Sequence, residues 1–153
     1  MSKKICIVYG ETKSINAEII FKSISKLNKS LKKKIFIIGN FKIIKKQLKD
    51  LNYRLNLNKI DDLSEFSKKI DILNIKDSRK KNYILQCIDI AHNLAIKKSI
   101  NGFINCPVDK KIFRGKFNGM TEYVSKKNNT KKNEIMMIYN PSLSVVPLTT
   151  HIK

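Results

Sequence analysis

Short β-branched runs alternate with segments of helical period along this chain, and that alternation limits the folds open to it. Lys4 to Tyr9 carries a β-branched and aromatic run, apolar from Ile5 to Tyr9, the pattern of a strand buried on both faces. Gly10-Glu11-Thr12-Lys13-Ser14 interrupts it. From Ser14, an available N-cap, Ile15, Ile19, Ile20, Ile24 and Leu27 recur at helical spacing, which predicts a helix. Lys34 to Ile38 predicts a second buried strand closed by Gly39-Asn40, and Ile43, Ile44, Leu48 and Leu51 predict a second helix. Strand and helix in strict succession, joined by short connections, build a parallel sheet with crossover helices.

The next segment is less regular. Tyr53, Leu55 and Leu57 alternate with polar residues and predict a short, half-exposed strand, while Asp61 to Asp77 reads as loop with a short helix at Leu63 to Ile70. Helical period returns from Asn82 through Tyr83, Ile84, Cys87, Ile88, Ala91, Leu94 and Ala95. His92 lies inside this helix with no carboxylate or second His at i±4, so it reads as a packing or surface residue, not a ligand. Gly102 to Cys106 predicts a third strand, ended by Pro107, and Thr121 to Lys127 a further short helix. Glu134 to Tyr139 and Leu143 to Thr150 complete the expected strands, with Pro147 consigning the last to an edge. Together these elements predict one α/β domain over residues 1–153, and the polar tip immediately after the last strand predicts an incomplete sheet.

Bulk properties narrow the function. The 42% hydrophobic content supports a folded globule. No stretch reaches the roughly 20 apolar residues that span a bilayer, and the run behind Lys3 and Lys4 is too short for a signal peptide; a soluble cytoplasmic protein is expected. Cys6, Cys87 and Cys106 are odd in number and lack a CxxC pair, which argues against a disulfide framework or structural zinc. Cys6 and Cys87 read as small buried residues; Cys106, at a strand end, stands equally well as lining a site. The net charge of +20 admits a polyanion-binding reading, a small basic α/β module that takes RNA. Against it, the positive charge is nearly all Lys, spread along a chain rich in Asn and Ile, the drift expected of an AT-rich coding sequence.

Ligands of open parallel sheets sit beyond the carboxyl ends of the strands. The residues that follow predicted strands include Lys110, a cation, and His151, a single imidazole; Thr121, Thr149 and Thr150 add hydroxyls. A lysine and a helix N-terminus near Thr121 suit phosphate or carboxylate, and His151 suits a metal ion. No GxGxxG follows the first strand and no GxxxxGK[ST] occurs, which excludes the standard nucleotide loops.

The order of four motifs resembles the first half of the 4-hydroxythreonine-4-phosphate dehydrogenase family. They are Asn105-Cys106-Pro107-Val108-Asp109-Lys110, Gly119-Met120-Thr121-Glu122-Tyr123, Ile135-Met136-Met137, and the terminal Thr149-Thr150-His151. Gly10-Glu11 and Ile15-Asn16-Ala17-Glu18 resemble a worn form of that family's N-terminal motif. The resemblance implies a three-layer α/β/α fold of isocitrate and isopropylmalate dehydrogenase type, present as its N-terminal half with the second domain absent. It implies an enzyme that uses NAD and a divalent metal (zinc, magnesium or cobalt) to oxidise and decarboxylate 4-phosphooxy-L-threonine to 3-amino-1-hydroxyacetone phosphate in vitamin B6 biosynthesis. By the same resemblance His151 is a metal ligand, Lys110, Met120 and Thr121 occupy substrate-binding positions, and the partner is a second copy or a separate C-terminal chain. Met120 stands where the family has His, and a thioether carries no proton. With two of three metal histidines and most of the NAD site beyond Lys153, the chain alone is expected to be inactive.

Overall fold

The computed structural model describes residues 4–76, 82–129 and 135–147. They form two compact units, one running through Ile112 and one from Phe113 onward.

The first unit is a five-stranded sheet in the order β3-β4-β2-β1-β5, with every pairing parallel. Its strands are β1 (Ile5–Val8), β2 (Ile35–Gly39), β3 (Leu57–Ile60), β4 (Ile70–Asn74) and β5 (Gly102–Asn105). The central strand β2 is buried at all five positions, which explains its unbroken apolar sequence. Successive side chains on a strand face opposite ways. Accordingly Ile35 and Ile37 join Ile70, Ile72 and Tyr9 in one cluster with Ala17, Ile20 and Ile24 of α1 (Asn16–Lys26) and Ile44 and Leu48 of α3 (Phe41–Asp50). Phe36 and Ile38, equally buried, belong to the other face, where α4 (Tyr83–Ile96) packs against β1, β2 and β5 and buries Tyr83, Cys87, Ile88 and Ala91. Each fully buried Ile or Phe contributes on the order of 2 kcal/mol of transfer free energy, so these two faces hold the sheet between helices. A single turn, α2 (Lys29–Lys32), capped by the Asn28 side chain at Leu31 N–H, precedes β2.

In the first unit four expectations need correction. Ser14 lies one residue before the N-cap position, which Ile15 takes; the Ser14 hydroxyl still accepts from Asn16 N–H at 3.2 Å. Ile15 is 65% exposed, because as the N-cap it lies before the helix, and Asn16 and Ala17 lead the buried stripe that Ile20 and Ile24 continue. The half-exposed strand begins at Leu57, after Tyr53 and Leu55. The largest difference concerns the expected loop and helix of Asp61 to Asp77: among its described residues, 61–76, only Leu63–Glu65 is helical (one 3-10 turn) and Ile70–Asn74 is an interior strand.

That strand was hidden by Asp71, a carboxylate with no solvent exposure. Its oxygens accept from Ser67 N–H, Ser67 Oγ at 2.7 Å and Asn58 Nδ2 at 3.0 Å, and Lys4 Nζ lies 3.6 Å away. Lys4 Nζ also sits 3.8 Å from the centre of the Phe66 ring. A buried charge is tolerated where every lone pair is met in this way.

The second unit holds α5 (Met120–Lys127) and an aromatic trio of Phe113, Phe117 and Tyr123, with ring centres 5.4 to 6.0 Å apart. The expected strands at 134–139 and 143–150 are not strands over 135–147. Ile138 and Val145 make one antiparallel bridge around the Asn140-Pro141-Ser142 turn, and the segment is exposed almost throughout. Isolated pairing of this kind lacks the neighbours that turn a bridge into a sheet.

Candidate functional site

Because all five strands are parallel, the loops after β1, β2, β4 and β5 rise from one rim of the first unit, the rim where α/β sheets carry their ligands. Polar side chains tie those loops together. Asn16, fully buried, donates through Nδ2 to the carbonyls of Tyr9 (2.9 Å), Pro107 (3.0 Å) and Glu11 (3.3 Å). One side chain thus clamps the β1–α1 loop to the loop that follows β5. Gly10 between them has φ +75°, and a Cβ there would come within 3.0 Å of Pro107 O and 3.1 Å of Asn16 Nδ2; only glycine suits both the left-handed backbone and the close approach.

The next loop is fixed by the same means. The Tyr9 hydroxyl donates to Gln47 Oε1, and Gln47 Nε2 donates to Thr12 O. Asn40 caps α3 by accepting from Ile43 N–H at 3.1 Å, while its Nδ2 donates to Ile75 O and its own N–H donates to the Tyr83 hydroxyl at 2.6 Å. Asn74 Oδ1 accepts from Phe41 N–H. At Gly39 a Cβ would meet Ile44 Cδ1 and Tyr9 Cβ at 2.9 Å, so helix and strands approach without intervening side chain. The rim is braced by its own asparagines and tyrosines.

Burial sets the electrostatics of this rim. Desolvation, with the Cys106 thiol nearby, pushes the Tyr9 hydroxyl up to about 12. Desolvation alone raises Cys106 to about 11, so at neutral pH it is a protonated, buried thiol and not a nucleophile. Cys6 and Cys87 are buried too, both with raised pKa values chiefly through desolvation. His92 is buried in the α4 layer, a packing residue.

Lys110, exposed, opens a 3-10 turn (Lys110–Phe113) just beyond the β5 loop, where Asp109 Oδ1 accepts from Lys111 N–H at 2.9 Å. Met120 and Thr121 are the first two residues of α5 in the second unit, after Gly119; Thr121 is exposed and Met120 half-buried. His151, Thr149 and Thr150 lie outside the described residues. Among the described residues no group of three His, Cys, Asp or Glu side chains is placed to hold a metal ion. A groove runs along α3 and the lead into β3, lined by Phe41, Lys45, Lys49, Tyr53 and Arg54 among others. In the sequence Asn16 has a place in a family-like motif but no role, and Gln47 is not singled out. A polar residue on the buried side of α1's first turn was the available sign, obscured by Ile15 beside it.

The proteins that this chain is similar to include longer chains. Curated 4-hydroxythreonine-4-phosphate dehydrogenases match: that of Aquifex aeolicus is 29% identical over 168 residues, covering 99% of this chain and 51% of its own. That of Hydrogenobaculum is 39% identical over 61 residues, 38% of this chain and 19% of its own. Crystal structures of 4-hydroxythreonine-4-phosphate dehydrogenases from Burkholderia phymatum and Klebsiella pneumoniae superpose with TM-scores of 0.80 and 0.82. Each is 24% identical, with 100% and 99% of this chain covered against 51% and 52% of theirs, a likeness of fold. The chain spans about half the length of the first of these curated relatives and of both structures. A family model, pyridoxal phosphate biosynthetic protein PdxA, matches residues 30–153. The chain therefore belongs to the family of the pyridoxal phosphate biosynthetic protein PdxA.

Proposed function

We propose that this chain supplies the substrate-side half of a 4-hydroxythreonine-4-phosphate dehydrogenase. The observation that carries the reading is the family match over residues 30–153, which includes the Pro107 to Lys110 bend, Met120-Thr121 and the terminal His151. Lys110 supplies a cation and Thr121 a hydroxyl for an anionic, phosphorylated substrate. Met120 contributes contact without proton transfer, and His151 one imidazole toward a divalent metal. NAD and that metal enter as family expectations. One imidazole is a minor part of a metal site, so no reaction step is assigned to a metal held by this chain alone. The polyanion-binding alternative gains nothing from relatives that are named dehydrogenases.

The test is a fusion in which the second half of the Aquifex aeolicus relative follows Lys153. Metal-dependent NADH formation from 4-phosphooxy-L-threonine is expected, falling at least about tenfold in Thr121→Ala. A fusion that folds, judged by its cooperative melt, yet forms no NADH sinks the reading.

A further inference from the structure

Strand β3 forms one edge of the sheet and bonds to β4 alone. Asn56 O accepts from Ile70 N–H, and the direction of backbone bonding alternates along a strand. Asn58 and Ile60 therefore turn their backbone toward β4, while the N–H and C=O groups of Leu57 and Lys59 face outward. The groove along α3 leads onto this edge. Phe41, Tyr53, Leu55 and Leu57, all half-buried, give it apolar walls, and the exposed cations Lys45, Lys49 and Arg54 stand along it. No Asp or Glu lines it. Among the described residues none of these three cations meets a carboxylate, whereas Lys46 is paired with Asp50 and Lys59 with Asp61.

Backbone and charge together select the occupant. Outward amides on an edge strand pair with another extended backbone. A lysine on such an edge ordinarily guards it, but here that lysine, Lys59, is held by Asp61 at 2.9 Å. Three unmet cations beside the edge draw carboxylates, and a net charge of +20 repels a second copy of the chain. A single-stranded nucleic acid matches the charge, but it binds by stacking its bases on free rings. Tyr53 is already stacked on Phe21, with ring centres 4.0 Å apart, and Lys45 Nζ lies over the Phe41 ring at 5.9 Å. A nucleic acid would also leave the β3 amides unused. We infer that the β3 edge and the α3 groove form a docking site for an acidic, extended peptide, added as a further strand beside Leu57–Ile60 with its carboxylates on Lys45, Lys49 and Arg54. The inference concerns the first unit alone and is independent of the dehydrogenase reading.

The probe is a capped, fluorescein-labelled peptide of about eight alternating Glu and Val residues, titrated into the purified 153-residue protein at low salt. Saturable binding is expected, weakening as added salt screens the carboxylates. Amide hydrogen exchange at Leu57 and Lys59 is expected to slow about tenfold or more in the complex. N-methylation of every peptide amide keeps the charge and removes the donors, and is expected to lower affinity at least about tenfold. Lys45→Glu with Arg54→Glu is expected to lower it as much. Lys97→Glu with Lys98→Glu, the same change in net charge at the end of α4, leaves it within about twofold. Unchanged thermal midpoints show that both double variants fold, and the exchange and N-methyl measurements need no variant. Three results overturn the inference: no binding, binding indifferent to N-methylation or to the Lys45 and Arg54 substitutions, or displacement of the peptide by tighter binding of an oligothymidylate of equal charge.

Discussion

At Cys106 the surroundings decide the chemistry that a side chain shows. The thiol is 5% exposed and desolvation raises it to about 11, from 9.0 when unburied. The native state therefore holds that proton longer than the unfolded chain does, and its contribution to stability is intact below about pH 9 and lost as pH climbs toward 11. Thermal midpoints are expected to fall across that alkaline window, less steeply in Cys106→Ala, and native thiol titration at neutral pH should find none of the three cysteines reactive. Asp71 makes the opposite point, a charge accepted inside because Ser67, Asn58 and Lys4 surround it. Asp71→Ala strands those donors and is expected to cost about 3 kcal/mol in denaturant unfolding. Lys4→Ala, at a side chain still partly exposed, costs less.

Elements are joined here by single amides. Asn16 holds the first loop, α1 and the loop after β5 in one arrangement through three carbonyls. Removing it leaves buried acceptors unmet, and Asn16→Ala is expected to lower stability by about 2 to 4 kcal/mol. Asn16→Asp is the sharper variant: nearly the same shape, but it sets an acceptor against three acceptors, so chemical denaturation should find it less stable than the alanine. An order in which Asp outranks Ala would refute the clamp. The strands β1, β2 and β5 and the helices α1, α3 and α4 were legible from period and β-branching alone, most plainly β2, whose burial at all five positions forces a continuous apolar strand. Strand β4 was not, since a carboxylate at its second position imitates a loop until its partners on β3 and the preceding turn are in view. The C-terminal strands failed for the converse reason. Their residues have strand character, but strand character without a neighbouring ladder gives one bridge.

For the whole molecule, the expected state of the unaccompanied 153-residue protein is folded and catalytically silent. Mixed with 4-phosphooxy-L-threonine, NAD and zinc or magnesium it should form no NADH, and metal-dependent turnover by this chain alone would contradict the half-site reading. In the fusion with a relative's second half, Met120→His restores a side chain able to carry a proton, and turnover is expected to rise at least about tenfold. A fusion in which this change lowers the rate would mean that Met120 belongs to an altered substrate contact. The chain's period, its glycine and proline punctuation and its four ordered motifs determined, without coordinates, the α/β class, most of the sheet and the family. These are local signals, written where residues three or four apart share a face or where a bend needs glycine. Only the tertiary structure decided that Asp71 sits inside a strand, that Asn16 and not Ile15 faces the interior, that Cys106 is inert and that 135–147 stands open. Each of those depends on partners distant in sequence, and no local pattern specifies a partner that arrives from elsewhere in the chain.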